Sequence, residues 1–384
     1  MDAAPARSSL LVLSFSDLAR DPRVHRQIRL LRDGYRVTAA GYADPCVPDV
    51  EFIPIPPVRR TALGKIAAAA MLKCRLFERF YWSSAAVVGA LRRLEGRSFD
   101  LVLANDVNTL PLALSLRPRR GVVFDAHEYA PRELEESWRW RFLFQAYIRY
   151  LCRRYIGRAA AMTTVCEGIA DEYARNYGMG PAVVHNAPYL QPLSPLGALE
   201  GRIRLVHHGA AIRSRNIERM IEMMRELDER FSLDFYLVPT DPDYLERLRR
   251  AARNDPRIRF LPAVPMQELP RILNTYDVGV YILEPNNFNN QHALPNKLFE
   301  FIQGRVAVAI GPSPEMARIV RRYDCGVVAG DFSPSALAEE LRRLTPERID
   351  HYKRRSDAAA RELCYENASQ TLLGVLSAVA RTEG

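Results

Sequence analysis

Short apolar runs alternate with amphipathic stretches along almost the whole chain, and the period of the hydrophobic pattern switches repeatedly between strand-like and helix-like. In the first half the strand candidates are SLLVLSF (9–15), YRVTAAG (35–41), EFIPI (51–55), FDLVLAN (99–105), GVVFDAH (121–127) and AAMTTV (160–165). In the second half they are IRLVHHG (203–209), SLDFYLVP (232–239), RIRFLPA (257–263), YDVGVYIL (276–283), RVAVAIG (305–311) and CGVVAG (325–330). Helical patterns lie between them. DPRVHRQIRLLRDG carries a cap at Asp21, a Pro at the first helical position and a stop at Gly34. Near-continuous apolar strands separated by helices predict parallel sheets covered on both faces.

The stretch NAPYLQPLSPLGALEG (186–201), rich in Pro and Gly and nearly without charge, interrupts this alternation before it restarts. The pattern therefore predicts an α/β protein of two tandem, doubly wound Rossmann-like domains, residues 1–190 and 202–384. The last fifty residues read as helices, which can pack back on the first domain. In such folds ligands bind beyond the carboxyl ends of the strands, so a cleft between the two sets of ends is the expected site.

At 384 residues, with 48% apolar and 26% charged side chains, the chain can bury two cores. No apolar run reaches the roughly 20 residues of a membrane span, and MDAAPARSSLLVLSF lacks the form of a secretory signal. A cytoplasmic protein is expected. Six cysteines (46, 74, 152, 166, 325, 364) follow no metal-ligand or disulfide spacing and read as buried thiols. The net charge of +9 is uneven: residues 1–190 hold 27 Lys and Arg against 19 Asp and Glu, the remainder 27 against 26. A basic first half fits an acidic partner, whether nucleic acid, anionic lipid or a phosphorylated substrate. Segment 61–96 combines Lys65, Lys73, Arg75 and Arg79 with Phe77, Phe80, Tyr81 and Trp82. It reads either as a long crossover helix whose aromatics pack on the sheet or as a basic amphipathic helix on an anionic membrane surface.

No G-x-G-x-x-G follows the first strand and no P-loop occurs, which removes the main support for dehydrogenase and P-loop readings. The Asp-x-Asp of TDPDYLERL reads as a helix cap at Asp241 rather than a metal site. The stretch HALPNKLFEF (292–301) carries more chemistry. A helix beginning near Pro295 offers free backbone N–H groups to a phosphate. Lys297 supplies a cation, and one turn on Glu300 can accept from the two vicinal hydroxyls of a ribose. The same spacing also describes an ordinary surface Lys–Glu pair.

In order and spacing, DPRVHRQIRLLRDGYRVTAAG, FDLVLAND, VVFDAHE, AAMTTVCEGIADEYARNYG with VVHNAP, IRLVHHG, RFLPAVPMQELPRILNTYDVGVYIL and LPNKLFEFIQGRVAVAIG together resemble the retaining GT-B glycosyltransferases of family 4 over nearly the whole chain. The resemblance implies metal-independent transfer of a sugar from a nucleotide-diphosphate sugar such as a UDP-sugar, the nucleotide sugar being a co-substrate with no further cofactor. Glu300 falls on the family's ribose-binding carboxylate. His292 replaces the carboxylate that touches donor-sugar hydroxyls, with Ala293 and Leu294 beside it. The family's diphosphate-binding Arg and Lys fall on Ala210 and Arg215, and neighbouring Arg213 can stand in for the missing Arg. His127, flanked by Asp125 and Glu128, matches a His beside the donor sugar. Catalytic roles thus fall on His127, Arg215 and Lys297, and donor binding on Arg213, Arg215, His292, Ala293, Leu294, Lys297 and Glu300.

The implied partners are the nucleotide sugar, a saccharide or lipid-linked acceptor in envelope polysaccharide synthesis, and an anionic membrane at its inner face, but not nucleic acid. A sugar-nucleotide epimerase on the same plan, or a catalytically silent nucleotide-sugar or membrane-binding protein, remain open alternatives.

Overall fold

The computed structural model describes residues 7–58 and 60–381. The chain divides into two compact units, the first running to Val184 and resuming at Ser369, the second spanning His185–Ala368. The first contains seven strands: β1 (Ser9–Leu13), β2 (Arg36–Gly41), β3 (Glu51–Pro54), β4 (Leu101–Asn105), β5 (Gly121–Ala126), β6 (Ala161–Thr164) and β7 (Ala182–Val183). The second contains six: β8 (Ile203–Ala210), β9 (Phe231–Val238), β10 (Ile258–Leu261), β11 (Val278–Tyr281), β12 (Ala307–Ile310) and β13 (Gly326–Val328). The sheet orders are 3-2-1-4-5-6-7 and 10-9-8-11-12-13, and every pairing is parallel. In each sheet the order reverses beside its first strand, β1 or β8, the switch point where ligands of doubly wound folds lie.

All residues of β1, β4, β11 and β12 are buried, as continuous apolar runs in a doubly covered sheet require. The twelve strands legible in the sequence all form; β7, two half-buried residues at a sheet edge, is too short to leave a periodic signal.

Helix boundaries follow local chemistry. Asp21 caps the helix Pro22–Leu31, accepting from the Arg23 and Val24 amides. That helix stops at Arg32, two residues before the glycine read as its stop. Segment 61–96 is not one long helix but three: Ala62–Lys73, Phe77–Trp82 and Ala85–Leu94. The first break falls at Arg75, whose φ of 57° is left-handed and cannot continue an α-helix. The Pro-rich stretch 186–201 is irregular yet pinned within the second unit. Gln191 N donates to Gln303 Oε1 at 2.9 Å, Arg305 Nη2 to Gln191 O at 2.8 Å, and Ala198 N to Asp350 Oδ1 at 2.7 Å. Two of the six thiols read as buried, Cys46 and Cys74, are exposed; the other four are buried. Among the described residues no helix is long and apolar enough to cross a membrane.

Candidate active site

In the second unit the site is built where β8 ends. His207, His208 and Gly209 lie just before its last residue, Ala210, and the helix Asn296–Gln303 brings Lys297 against them. Pro295 is the N-cap of this helix rather than its first residue, so the first-turn amides are free of side-chain caps. Lys297 and Glu300 are 4% and 9% exposed, which excludes the surface-pair reading. The Lys297 ammonium donates to His208 O, lies 3.3 Å from His207 Nε2 and sits 4.8 Å above the Tyr281 ring.

His207 Nδ1 is 2.9 Å from Val280 O, an acceptor only, so Nδ1 carries the proton and Nε2 offers Lys297 a lone pair. Burial and the Lys297 charge hold both histidines well below their ordinary pKa, and hence neutral. Burial, then the nearby Arg215 guanidinium, pull Lys297 down to about 7, against the opposing pull of Glu300. Arg215, half-buried at the end of the otherwise exposed turn Arg213–Arg215 after β8, makes no ion pair among the described residues. Two cations crowd one another with the Glu300 carboxylate only partly offsetting them, an arrangement that favours an incoming anion.

Gly209 is the reason Lys297 can come so close. Its φ is 121°, and a Cβ there would stand 2.9 Å from Lys297 Nζ. Gly209→Ala is expected to cost roughly 1–3 kcal/mol and to displace the ammonium. Urea unfolding together with nucleotide titration checks both effects.

The other candidates are placed as follows. Glu300 Oε2 is 3.6 Å from His208 Nε2, a buried nitrogen with no hydrogen-bond partner among the described residues. Arg213 is turned to Asp241, with Nε to Oδ2 at 2.6 Å and Nη2 to Oδ1 at 3.2 Å, while Asp241 caps Pro242–Ala252 through the Tyr244 amide. The His292 ring packs on Phe288 at 4.5 Å with the planes tilted by 41°, and its Nδ1 lies 3.7 Å from Oε1 of buried Glu315. Ala293 and buried Leu294 join a short helix, Phe288–Gln291, to the one carrying Lys297.

In the first unit His127 follows β5. Its Nε2 lies 3.0 Å from Asn105 Oδ1 and 3.3 Å from Asp125 Oδ2, and its Nδ1 3.5 Å from Asp106 Oδ2. Burial opposes its protonation, but Asp106 and Asp125 outweigh burial and raise it to about 9. Because the Asp106 side chain is half-exposed and screened by water, fully buried Asp125 carries the more durable share. Asp125 also accepts from Arg23 Nε at 2.7 Å, Arg23 Nη2 at 2.6 Å, Gln27 Nε2 at 2.6 Å and Thr163 Oγ1 at 2.6 Å. His127 is thus an oriented imidazolium at the carboxyl edge of the first sheet.

Sequence reasoning missed Asn105, Asp106, His207 and His208 as site residues. Their one signal is position: each pair lies near the carboxyl end of a strand beside the switch point.

A model described as Glycosyltransferase Family 4 matches residues 28–188, and one described as Glycosyl transferases group 1 matches residues 202–346. No curated protein matches the chain in sequence. Sucrose-phosphate synthase (tll1590) from Thermosynechococcus elongatus is similar in structure, with a TM-score of 0.71 at 13% identity over 97% of this chain and 99% of that one. The Anabaena Alr3699/HepE complex with UDP-glucose scores 0.70 at 12% identity, over 97% and 100%. WaaG, a glycosyltransferase involved in lipopolysaccharide biosynthesis, scores 0.64 at 16% identity, over 94% and 99%. With both units matched in order and each sheet wound as these folds require, the chain belongs to the GT-B glycosyltransferases of the family 4 type.

Proposed function

We propose that the protein transfers a sugar from a nucleotide-diphosphate sugar to an acceptor hydroxyl with retention of anomeric configuration, in the synthesis of an envelope polysaccharide or glycoconjugate. The observation that carries this reading is the buried Lys297 ammonium beside the Arg215 guanidinium, which makes no ion pair among the described residues, just beyond β8. The leaving diphosphate needs cations and N–H donors placed before the reaction; Lys297, Arg215 and the first-turn amides of Asn296–Gln303 supply them without a metal. Glu300 accepts from the ribose hydroxyls. As the family 4 resemblance implies, a donor phosphate oxygen takes up the acceptor proton on the face where the C–O bond breaks, and His127 orients the donor sugar. The basic first unit takes the acceptor, and its exposed basic helix Ala62–Lys73 meets an anionic membrane surface.

UDP binding tests the first step. A diphosphate beside Lys297 restores the ordinary affinity of the amine for a proton, so at pH 8–9 a largely neutral Lys297 becomes charged on binding. Calorimetry in buffers of different ionisation enthalpy is expected to show uptake of up to one proton there, and affinity is expected to weaken as pH rises above 7. Binding with no proton uptake at pH 8–9 removes Lys297 from the phosphate site. Incubation with donor alone separates the epimerase reading, which requires an isomerised nucleotide sugar in the absence of acceptor.

A further inference from the structure

The first unit contains a cavity of about 390 Å³ that none of the residues discussed so far explains. Its wall is largely aromatic, with Phe15, Tyr42, Phe80, Trp140, Phe144 and Tyr147 prominent. Phe15 and Tyr42 stack at 6.4 Å with planes 9° apart, and Phe80 meets Tyr147 edge-on at 4.9 Å. The volume is that of a small-molecule pocket. Its cation is Arg60, whose guanidinium lies 4.7 Å above Phe80.

Two features say what fits. The cavity reaches Asn108, two residues beyond Asp106 of the His127 cluster; Tyr81 on the same wall donates to Asn108 O at 3.0 Å and accepts from Leu112 N at 3.0 Å. One end therefore lies at the carboxyl edge of β4. Another part of the wall is continuous with exposed apolar surface. Val58, a lining residue, is 43% exposed, and the wall residues Trp140 and Phe144 alternate with exposed Trp138 and Phe142 through a π-helical turn, Arg141–Gln145.

Seven of the twelve large apolar side chains exposed among the described residues fall within segment 58–142, Leu63 at 80% and Ile66 at 67% being the most open. The helix that carries these two buries only Ala68 and Leu72, and its Lys73 stands over the Phe142 ring. Exposed Lys65, Lys73, Arg75 and Arg79 surround the same apolar surface, complementary to an anionic amphiphile.

We propose that this cavity seats the apolar chain of an amphiphilic, phosphate-bearing acceptor, entering from the exposed apolar surface, with Arg60 on its phosphate. The assignment rests on the reading of the first unit as the acceptor side, and it defines the substrate class as lipid-linked rather than free saccharide.

All three tryptophans of the chain, Trp82, Trp138 and Trp140, lie in this region, so intrinsic fluorescence reports on it. Dodecyl phosphate below its aggregation concentration is titrated against the full chain, with inorganic phosphate and phosphatidylglycerol vesicles as separate arms. Ser84 lines the cavity and its side chain makes no capping bond, so Ser84→Phe fills the space without removing a cap. The expected result is a saturable change with dodecyl phosphate, absent with inorganic phosphate and about tenfold or more weaker in Ser84→Phe, since a filled cavity excludes several methylenes. Arg60→Gln, at a half-exposed position, is expected to weaken dodecyl phosphate severalfold without moving the melting temperature.

Equal affinity in wild type and both variants overturns the proposal. So does a response confined to vesicles and lost in Leu63→Ser/Ile66→Ser, which reports surface contact alone. UDP binding is read in parallel by thermal shift: if it persists while dodecyl phosphate fails, this assignment falls and the glycosyltransferase reading stands.

Discussion

Lys297→Met is expected to lower sugar transfer by about 10²–10³-fold, the usual cost of removing one positioned charge-stabilising donor, while leaving the fold intact or more stable. Met nearly matches the lysine in length and keeps its contacts with the helix while removing only the ammonium. That ammonium is costly to the free protein. Burial and the Arg215 charge press its pKa down to about 7 in the folded chain, whereas an unfolded lysine titrates near 10.4.

Between those two values the unfolded state binds more protons, so this group makes stability rise with pH. It contributes nothing further once both states are neutral. From this group urea midpoints of the second unit are expected to gain a rise with pH above 7, a share that is lost in Lys297→Met while the share of buried Lys353, also lowered, remains. A variant with unchanged kcat removes Lys297 from the chemistry; a variant with the same pH slope as wild type places the titration elsewhere. An uncharged side chain of similar length also abolishes the proton uptake linked to UDP binding, so one substitution tests the charge in both the free and bound protein.

The largest stability effect is expected in the first unit. Asp125→Ala removes a fully buried carboxylate that accepts four hydrogen bonds from Arg23, Gln27 and Thr163. Arg23, 5% exposed, is left as a buried cation without its carboxylate, its Nη1 still donating to Val184 O at 2.8 Å. Breaking such a pair costs about 3–5 kcal/mol, because the surviving charge stays desolvated. The double replacement Arg23→Met/Asp125→Leu is expected to recover much of that loss.

Urea unfolding followed by fluorescence resolves the effect, since all three tryptophans belong to the first unit and two units need not unfold together. A single Asp125→Ala effect below about 1 kcal/mol contradicts the account of Asp125 as the anchor of the first helix. Transfer is expected to fall as well, because His127 loses the carboxylate at 3.3 Å that orients its ring.

The alternation of apolar runs and amphipathic helices determined the class of fold from sequence alone, because a strand buried on both faces needs side chains that are apolar throughout and a covering helix needs one apolar stripe. Asp21 and Asp241 announced their caps by residue type, and both accept the amides expected of them. HALPNKLFEF showed its helix and its Lys–Glu spacing in the same way. What the sequence could not carry is contact between residues far apart in the chain. Whether Lys297 was a surface pair or a buried ammonium depends on β8, ninety residues earlier, arriving at Gly209 with a left-handed backbone that leaves room for Nζ. Arg23 and Gln27, one helical turn apart, show no partner in the local sequence; Asp125 meets them from a strand a hundred residues on.

Tertiary structure also divided segment 61–96, which has one composition but two fates. Phe77, Phe80 and Tyr81 are buried, whereas Leu63 and Ile66 remain in the open. Local periodicity records which face of an element is apolar; only the assembled chain decides whether anything is there to cover it.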